Sequence, residues 1–258
     1  MTKGKSGPGL RRLVDVVMTV LLLCLMTFQV TGEKAHEWIG VGTTGTVILH
    51  QFLNRKWYAH LFKGKYNPYR IVSTGLNALL LVSFALTAFC GMSMSGYAVP
   101  FLYGMAPVLF VRRMHLSMSH WAFVLMGLHL GLHLPAMTAG MKEKVRARTI
   151  LTALFTGLGG VGLWLFLRNG IPNYLLFRIP FAFLDYDKAG WLVFLENLLM
   201  LTFWALIGTQ AAHLCAGASK KTETKKDPLR PAAVVMAAVL MGIALTLLLP
   251  GAGGPAPF

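Results

Sequence analysis

The chain has 258 residues, 55% of them hydrophobic and 13% charged, with a mean hydropathy of +0.61. That balance leaves too little polar surface for a water-facing globule of this size, and a membrane class is tested first. The formal net charge of +15 is spread over several loops, whereas a nucleic-acid partner needs its cations gathered on one groove or face.

In chain order, apolar stretches run Leu13 to Thr31, Ile71 to Met92, Met114 to Ala139, Ile150 to Leu167, Trp191 to Ala216 and Pro231 to Leu249. Each is near the roughly 20 residues that cross a hydrocarbon core. A seventh, weaker stretch, His36 to Leu53, carries Gly40, Gly42, Thr43, Thr44, Gly45 and Thr46 between two histidines. Lipid rewards none of those side chains, so this segment is expected to face other helices or a cofactor. The expected fold class is an all-α integral membrane protein of about seven transmembrane helices containing a haem-binding four-helix bundle. One membrane domain spans 1–258, with haem-binding helices over 12–139, additional helices over 150–250 and a flexible tail over 251–258.

Eighteen of the 24 lysines and arginines fall in four clusters, from Lys3 to Arg12, Arg55 to Arg70, Lys142 to Arg148 and Lys220 to Arg230. Those clusters share one side if the N-terminus is inside, the positive-inside arrangement of a multi-pass protein of the bacterial cytoplasmic (inner) membrane. The first apolar stretch is read as retained, because no small-residue cleavage site stands out before Glu33. The outer connections, Ser93 to Arg113 and Arg168 to Gly190, are rich in Tyr, Phe and Pro and suit the headgroup level. Cys24, Cys90 and Cys215 stand in no C-x-x-C-H setting, so covalent c-type haem is not expected.

Histidines carry the chemistry. His36 and His50 are 14 residues apart, and His115 and His129 repeat that spacing. Fourteen residues are about 21 Å of helix and bring both rings to within about 40° of one face. Two reversals of direction separate the two helices, so they run the same way and their histidines meet at matched depths. His36 then opposes His115 near the outer surface and His50 opposes His129 near the inner one. Paired neutral imidazoles from facing helices suit haem iron and leave no open position for oxygen chemistry, so two such sites make an electron path. His120 lies about 140° round the helix from His115 and is excluded. His133 shares the face of His115 at about 27 Å of depth, so a His50–His133 pairing stays open, as does a metal site at His129 and His133. His60, His120 and His213 are read as structural.

Gly40, one turn below His36, and Gly127 and Gly131, beside His129, would let either a porphyrin or a neighbouring helix come close. Arg112 and Arg113 outside His115, and Arg55 and Lys56 inside His50, are candidates to meet haem propionates. Glu196 is an acid within an apolar helix and a candidate for proton uptake at a quinone pocket.

The segments His36-Glu37-Trp38-Ile39-Gly40, His50 with Asn54-Arg55-Lys56-Trp57-Tyr58, Phe62-Lys63-Gly64-Lys65-Tyr66, and Phe123 to His133 resemble the flavinylation-associated cytochromes, bacterial membrane proteins akin to bis-histidine b cytochromes. The likeness is strongest from Gly32 to Met137, with a weaker echo around Tyr174 to Asp187. It implies two haem b groups at His36, His50, His115 and His129, with His133 also in the motif, and electron exchange with extracytosolic proteins carrying covalent flavin. Position 120 is usually aromatic in that pattern, and His120 departs from it.

The reading is therefore a di-haem electron-transfer protein, the membrane subunit of a quinol:acceptor oxidoreductase rather than a stand-alone enzyme. Its expected partners are the bilayer, quinone or quinol, and an extracytosolic redox protein. A metal-ion or proton transporter using the same histidines is the alternative, and an enzyme acting at the outer face near Tyr174, Asp185 or Asp187 is a third.

Overall fold

The computed structural model describes residues 8–138 and 145–222. The last apolar stretch, Pro231 to Leu249, and the tail 251–258 lie outside the described residues, as do Lys3, Lys5, Lys225 and Lys226.

The described residues form helices without strands: α1 (Pro8–Met26), α2 (Phe28–Leu53), α3 (Lys56–His60), α4 (Pro68–Met94), α5 (Val108–Thr138), α6 (Val145–Arg168), α7 (Ile171–Leu175) and α8 (Gly190–Thr222), with a 3-10 turn at Pro100–Leu102. Two helices, α4 and the part of α8 from Gly190 to Gly217, are long and apolar enough to cross a membrane by length and composition. Much of the remaining apolar surface is also uncovered by protein, including Val16 and Val20 on α1, Ile48 and Phe52 on α2, and Trp164 and Leu167 on α6. Apolar area on that scale needs a nonaqueous neighbour or a partner.

Helix boundaries follow local chemistry. Expected as one stretch to Thr31, the first helix stops at Met26. The Thr27 hydroxyl donates to Cys24 O at 2.8 Å, and Gly32, at φ 69°, kinks the chain just inside α2. Glycine carries that left-handed φ without steric cost. At the start of α4, Asn67 Oδ1 accepts from Arg70 N at 2.8 Å and Pro68 occupies the first turn, where a missing N–H costs nothing. The outer connection is shorter than expected, because α5 begins directly after Pro107, whose carbonyl accepts from Val111 N at 3.0 Å. Arg112 and Arg113 are therefore helical residues less than a turn before His115, not loop residues.

Four helices form a slab in the order α4, α5, α8, α6, with the α1–α2 hairpin laid against one face. Glycines set its spacing. A Cβ at Gly131 would stand 1.9 Å from Ala205 O, at Gly208 2.2 Å from Leu128 O, and at Gly162 2.1 Å from Leu199 O. Small residues of this kind let backbones touch where lipid offers no hydrophobic drive to pack. Positions rising along α5 meet positions rising along α8, so these neighbours run parallel, while α6 runs against α8. Gly127 and Gly131 thus serve helix packing on the side of α5 that faces α8.

The hairpin is held differently. α1 packs along α2 and touches α8, α2 touches α4, and the backbone of α2 stays clear of α5 over nearly all its length. An apolar cluster of Val14, Met18 and Val47, joined by Leu53, Phe84 and Met126, fills the middle of the space where α1, α2, α4 and α5 converge.

Candidate functional site: two layers of histidines between α2 and α5

At helical spacing, His36, Gly40, Thr43, Val47 and His50 form one face of α2, and its two middle members, Thr43 and Val47, are buried. The corresponding face of α5 carries His115, Met118, Ala122, Met126 and His129. The histidines stand at the two ends of this shared space, with the apolar cluster between them.

In the outer layer the rings of His36 and His115 have centroids 6.1 Å apart with planes at 75°. Two imidazoles this close, one from each helix, are residues that would hold a haem iron between them. His115 Nδ1 donates to Thr87 O of α4 at 2.9 Å, leaving Nε2 as the nitrogen with a free lone pair. Gly91 makes room for that ring, since a Cβ there would lie 3.0 Å from His115 Cε1. His36 stacks edge-on against Phe28, and its Nδ1 is buried without a hydrogen-bond partner. A buried ring nitrogen left unpaired is costly, and its presence suits a site completed by a bound group.

In the inner layer His129 Nδ1 donates to Asn77 Oδ1 of α4 at 2.9 Å. His50 Nδ1 lies 2.9 Å from Asp15 Oδ1 of α1, and both groups interact electrostatically with His129 and His133. The rings of His129 and His133 meet at 4.7 Å. Second-sphere bonds at Nδ1 fix tautomer and ring orientation, which is how proteins prepare histidines to ligate metals. His115 and His129 both have them, whereas Asp15 Oδ1, close to His50, makes no hydrogen bond among the described residues. Because α4 supplies an acceptor to His129, that histidine is the better prepared of the neighbouring pair on α5.

These residues fit haem b. Bis-imidazole ligation would use two neighbouring rings from facing helices, as His36 and His115 offer in the outer layer. Gly40, on the histidine face of α2, has only Leu25 Cδ2 near its missing Cβ, at 4.0 Å.

Other residues singled out in the sequence are engaged elsewhere. His120 stacks on Tyr174 at 4.5 Å with planes 3° apart, and its Nδ1 donates to Leu116 O at 2.6 Å. His60 and His213 are exposed. Arg113 donates to Phe177 O at 2.9 Å, and Arg112 lies over the Phe181 ring at 5.7 Å. Both therefore tie α5 to the outer connection between α7 and α8. Glu196 is buried, bound by Lys188 Nζ at 2.8 Å and Asn169 Nδ2 at 3.1 Å. Tyr174 is buried and its hydroxyl accepts from Phe183 N at 3.0 Å. The Asp185 carboxylate accepts from Asp187 N at 3.2 Å, and its carbonyl from Gln29 at 2.8 Å.

Sequence reasoning missed three contributors. Asn77 sits in an apolar run, and only its partner shows its use. Asp15 was passed over near the basic N-terminal cluster. Glu37 was noted only as part of a motif, yet its carboxylate accepts from Ser95 Oγ at 2.7 Å and from the N–H groups of Gly96, Tyr97 and Ala98 at 3.0, 2.8 and 2.9 Å. This nest pins α2 to the loop after α4, one residue from His36, and so sets the depth of the outer layer. Glu37→Ala strands those donors and is expected to cost about 1–3 kcal/mol. A lower thermal midpoint in detergent is the readout, and an unchanged midpoint would show that solvent replaces the carboxylate.

Toward the inner end, a cavity of about 570 Å³ is lined by residues including Trp57, His60, Lys63, Tyr66, Tyr69 and Arg70. Its wall residues Ser73 and Thr74 lie one turn before Asn77, and Tyr69 donates to Leu132 O at 3.2 Å, so it adjoins the inner histidine layer. The chain matches no family model, and neither curated proteins nor solved structures give a significant match.

Proposed function

We propose that the chain conducts electrons across a bacterial cytoplasmic membrane as a two-haem b-type cytochrome of seven transmembrane helices, with its N-terminus inside. His36 and His115 are the ligands of the outer haem, and His50 and His129 those of the inner one. The observation that carries this reading is the close pair His36 and His115, together with the way His115 and His129 each commit Nδ1 to α4 and keep Nε2 for a ligand.

Haem b, when bound, would supply a one-electron carrier in each layer. The protein does the rest. α4 orients the α5 imidazoles, Glu37 fixes the outer end of α2, and the cluster around Val47 and Met126 keeps water from the space between layers. Arg112 and Arg113 add positive charge beside the outer layer while their guanidinium groups hold the connection between α7 and α8, and Gly40 leaves the porphyrin room against α2. Quinol or quinone exchanges electrons at the inner end, where the cavity beside Asn77 has the size of a small-molecule site and aromatic walls. An extracytosolic redox protein, flavin-bearing by the resemblance described above, is the partner at the outer face.

The chain purified from membranes is expected to show a reducible b-type difference spectrum and about two haems per polypeptide, on the count of ligand pairs. Bound metal without haem would overturn this function in favour of transport.

A further inference from the structure

We infer that the cavity between α3 and the start of α4 holds the phosphate of an anionic phospholipid from the cytoplasmic leaflet. This inference rests on the orientation proposed above, with the N-terminus inside, and not on haem. A phosphate group fills a small part of the 570 Å³ and leaves the aromatic walls to a quinone.

The segment from Asn54 to Arg70 carries Arg55, Lys56, Lys63, Lys65 and Arg70 and no acid, and the whole chain has no Asp or Glu between Glu37 and Glu143. Lys63 and Arg70 line the cavity itself. Its walls therefore offer positive charge without a carboxylate to neutralise it, and Lys63 has no ion-pair partner among the described residues. A loop lysine alone reports only topology. Here the wall is also built. Arg70 donates to His60 O and to Lys65 O, the latter at 3.2 Å, and lies over the Tyr66 ring at 4.1 Å. Its guanidinium thus closes the loop over 60–66 into a fixed shape, and a guanidinium with five N–H donors keeps others for a ligand.

α4 starts at this wall. Asn67 caps it, and Tyr69, Arg70, Ser73 and Thr74 of its first two turns line the space, so the positive end of a 27-residue helix faces the cavity. Thr74 is only 2% exposed, yet its hydroxyl has no hydrogen-bond partner among the described residues. A buried hydroxyl on a cavity wall is costly unless an acceptor binds there. Depth agrees with charge. α4 is long and apolar enough to cross a membrane, which puts its N-terminus at headgroup level. Trp57, Tyr66 and Tyr69 around the cavity, with Phe62 exposed beside it, are side chains that favour that level. A basic pocket at the cytoplasmic headgroup level selects anionic lipid.

Native mass spectrometry of the purified full-length protein, titrated with phosphatidylglycerol, phosphatidylcholine or inorganic phosphate, tests this. One phosphatidylglycerol per chain is expected to bind about tenfold more tightly than phosphatidylcholine, the scale of one hydrogen bond to a charged group. Lys63→Gln and Thr74→Val should each weaken that binding several-fold, whereas Lys65→Gln, at an exposed lysine outside the cavity lining, should change it little. Equal binding of the two lipids, or equal losses from Lys63→Gln and Lys65→Gln, would mean diffuse loop charge and overturns the site. Inorganic phosphate binding as tightly as phosphatidylglycerol overturns the lipid source. If Thr74→Val does not accumulate, the two lysine variants, both at exposed positions, decide. The measurement needs neither haem nor electron transfer, so its failure leaves the electron-transfer reading standing, and a chain without haem leaves this inference standing.

Discussion

His129→Ala is expected to remove about half of the bound haem, and His50→Ala to remove the same half, because the two rings serve one layer. His36→Ala and His115→Ala should each remove the other half. His133, beside His129, is the neighbour that would have to take the place of a lost inner ring. His133→Ala separates the two histidines that meet at 4.7 Å. Since Asn77 orients His129, His133→Ala should retain both haems, and loss of the inner haem in this variant alone would exchange their roles. His120→Ala should also keep both and surrender its stacking on Tyr174, about 0.5–1.5 kcal/mol, together with its bond to Leu116 O. Haem per polypeptide, measured on each purified variant with its difference spectrum, reads the whole series. Different haems lost from His50→Ala and His129→Ala would refute the pairing.

Gly131→Ala should be the most damaging methyl group that can be added to the slab. Its Cβ would lie 1.9 Å from Ala205 O and 2.8 Å from Thr209 N, both backbone atoms that cannot rotate away. Thr209 Oγ1 also donates to Gly131 O at 3.1 Å, and separating α5 from α8 would break that bond. Overpacking of this kind costs about 1–3 kcal/mol where side chains can adjust, and here the obstacle is main chain, so the upper end applies. Gly157→Ala and Gly160→Ala on α6 are the controls. Nothing lies within 4 Å of their missing Cβ atoms, and helix propensity alone predicts a gain of up to about 1 kcal/mol. Thermal stability in detergent of the three variants checks the contrast, and equal behaviour would mean that α5 and α8 do not pack as described.

Hydropathy made the helices legible because an apolar run of spanning length has few other uses. Over their described residues the apolar windows up to Ala216, and the weaker His36 to Leu53, lie in helices, except that Leu13 to Thr31 is divided at Thr27 between α1 and α2. The fourteen-residue repeat placed His36 opposite His115 for a similar reason, since helical period converts spacing directly into face and depth. What stayed hidden depends on partners distant in sequence. Nothing near Asn77 signals that it serves a histidine 52 positions later, and the separation of 58 between Glu37 and Ser95 hides the nest in the same way. The glycines beside His129 were ambiguous because spacing along α5 does not say which side meets α8. The start of α5 was misjudged because an aromatic, proline-bearing segment reads as loop until Pro107 is seen to open a helix. Glu196 read as a free acid because Lys188 lies just outside the apolar stretch.

The central place of α8 bears on how the molecule is assembled. α5 and α6 meet chiefly through it, yet it is the last of the described helices to be synthesised. Until it arrives, α6 has no broad surface to lean on, and the glycine-lined flank of α5 faces lipid. Biogenesis therefore cannot proceed as a simple stacking of each new segment on its predecessor.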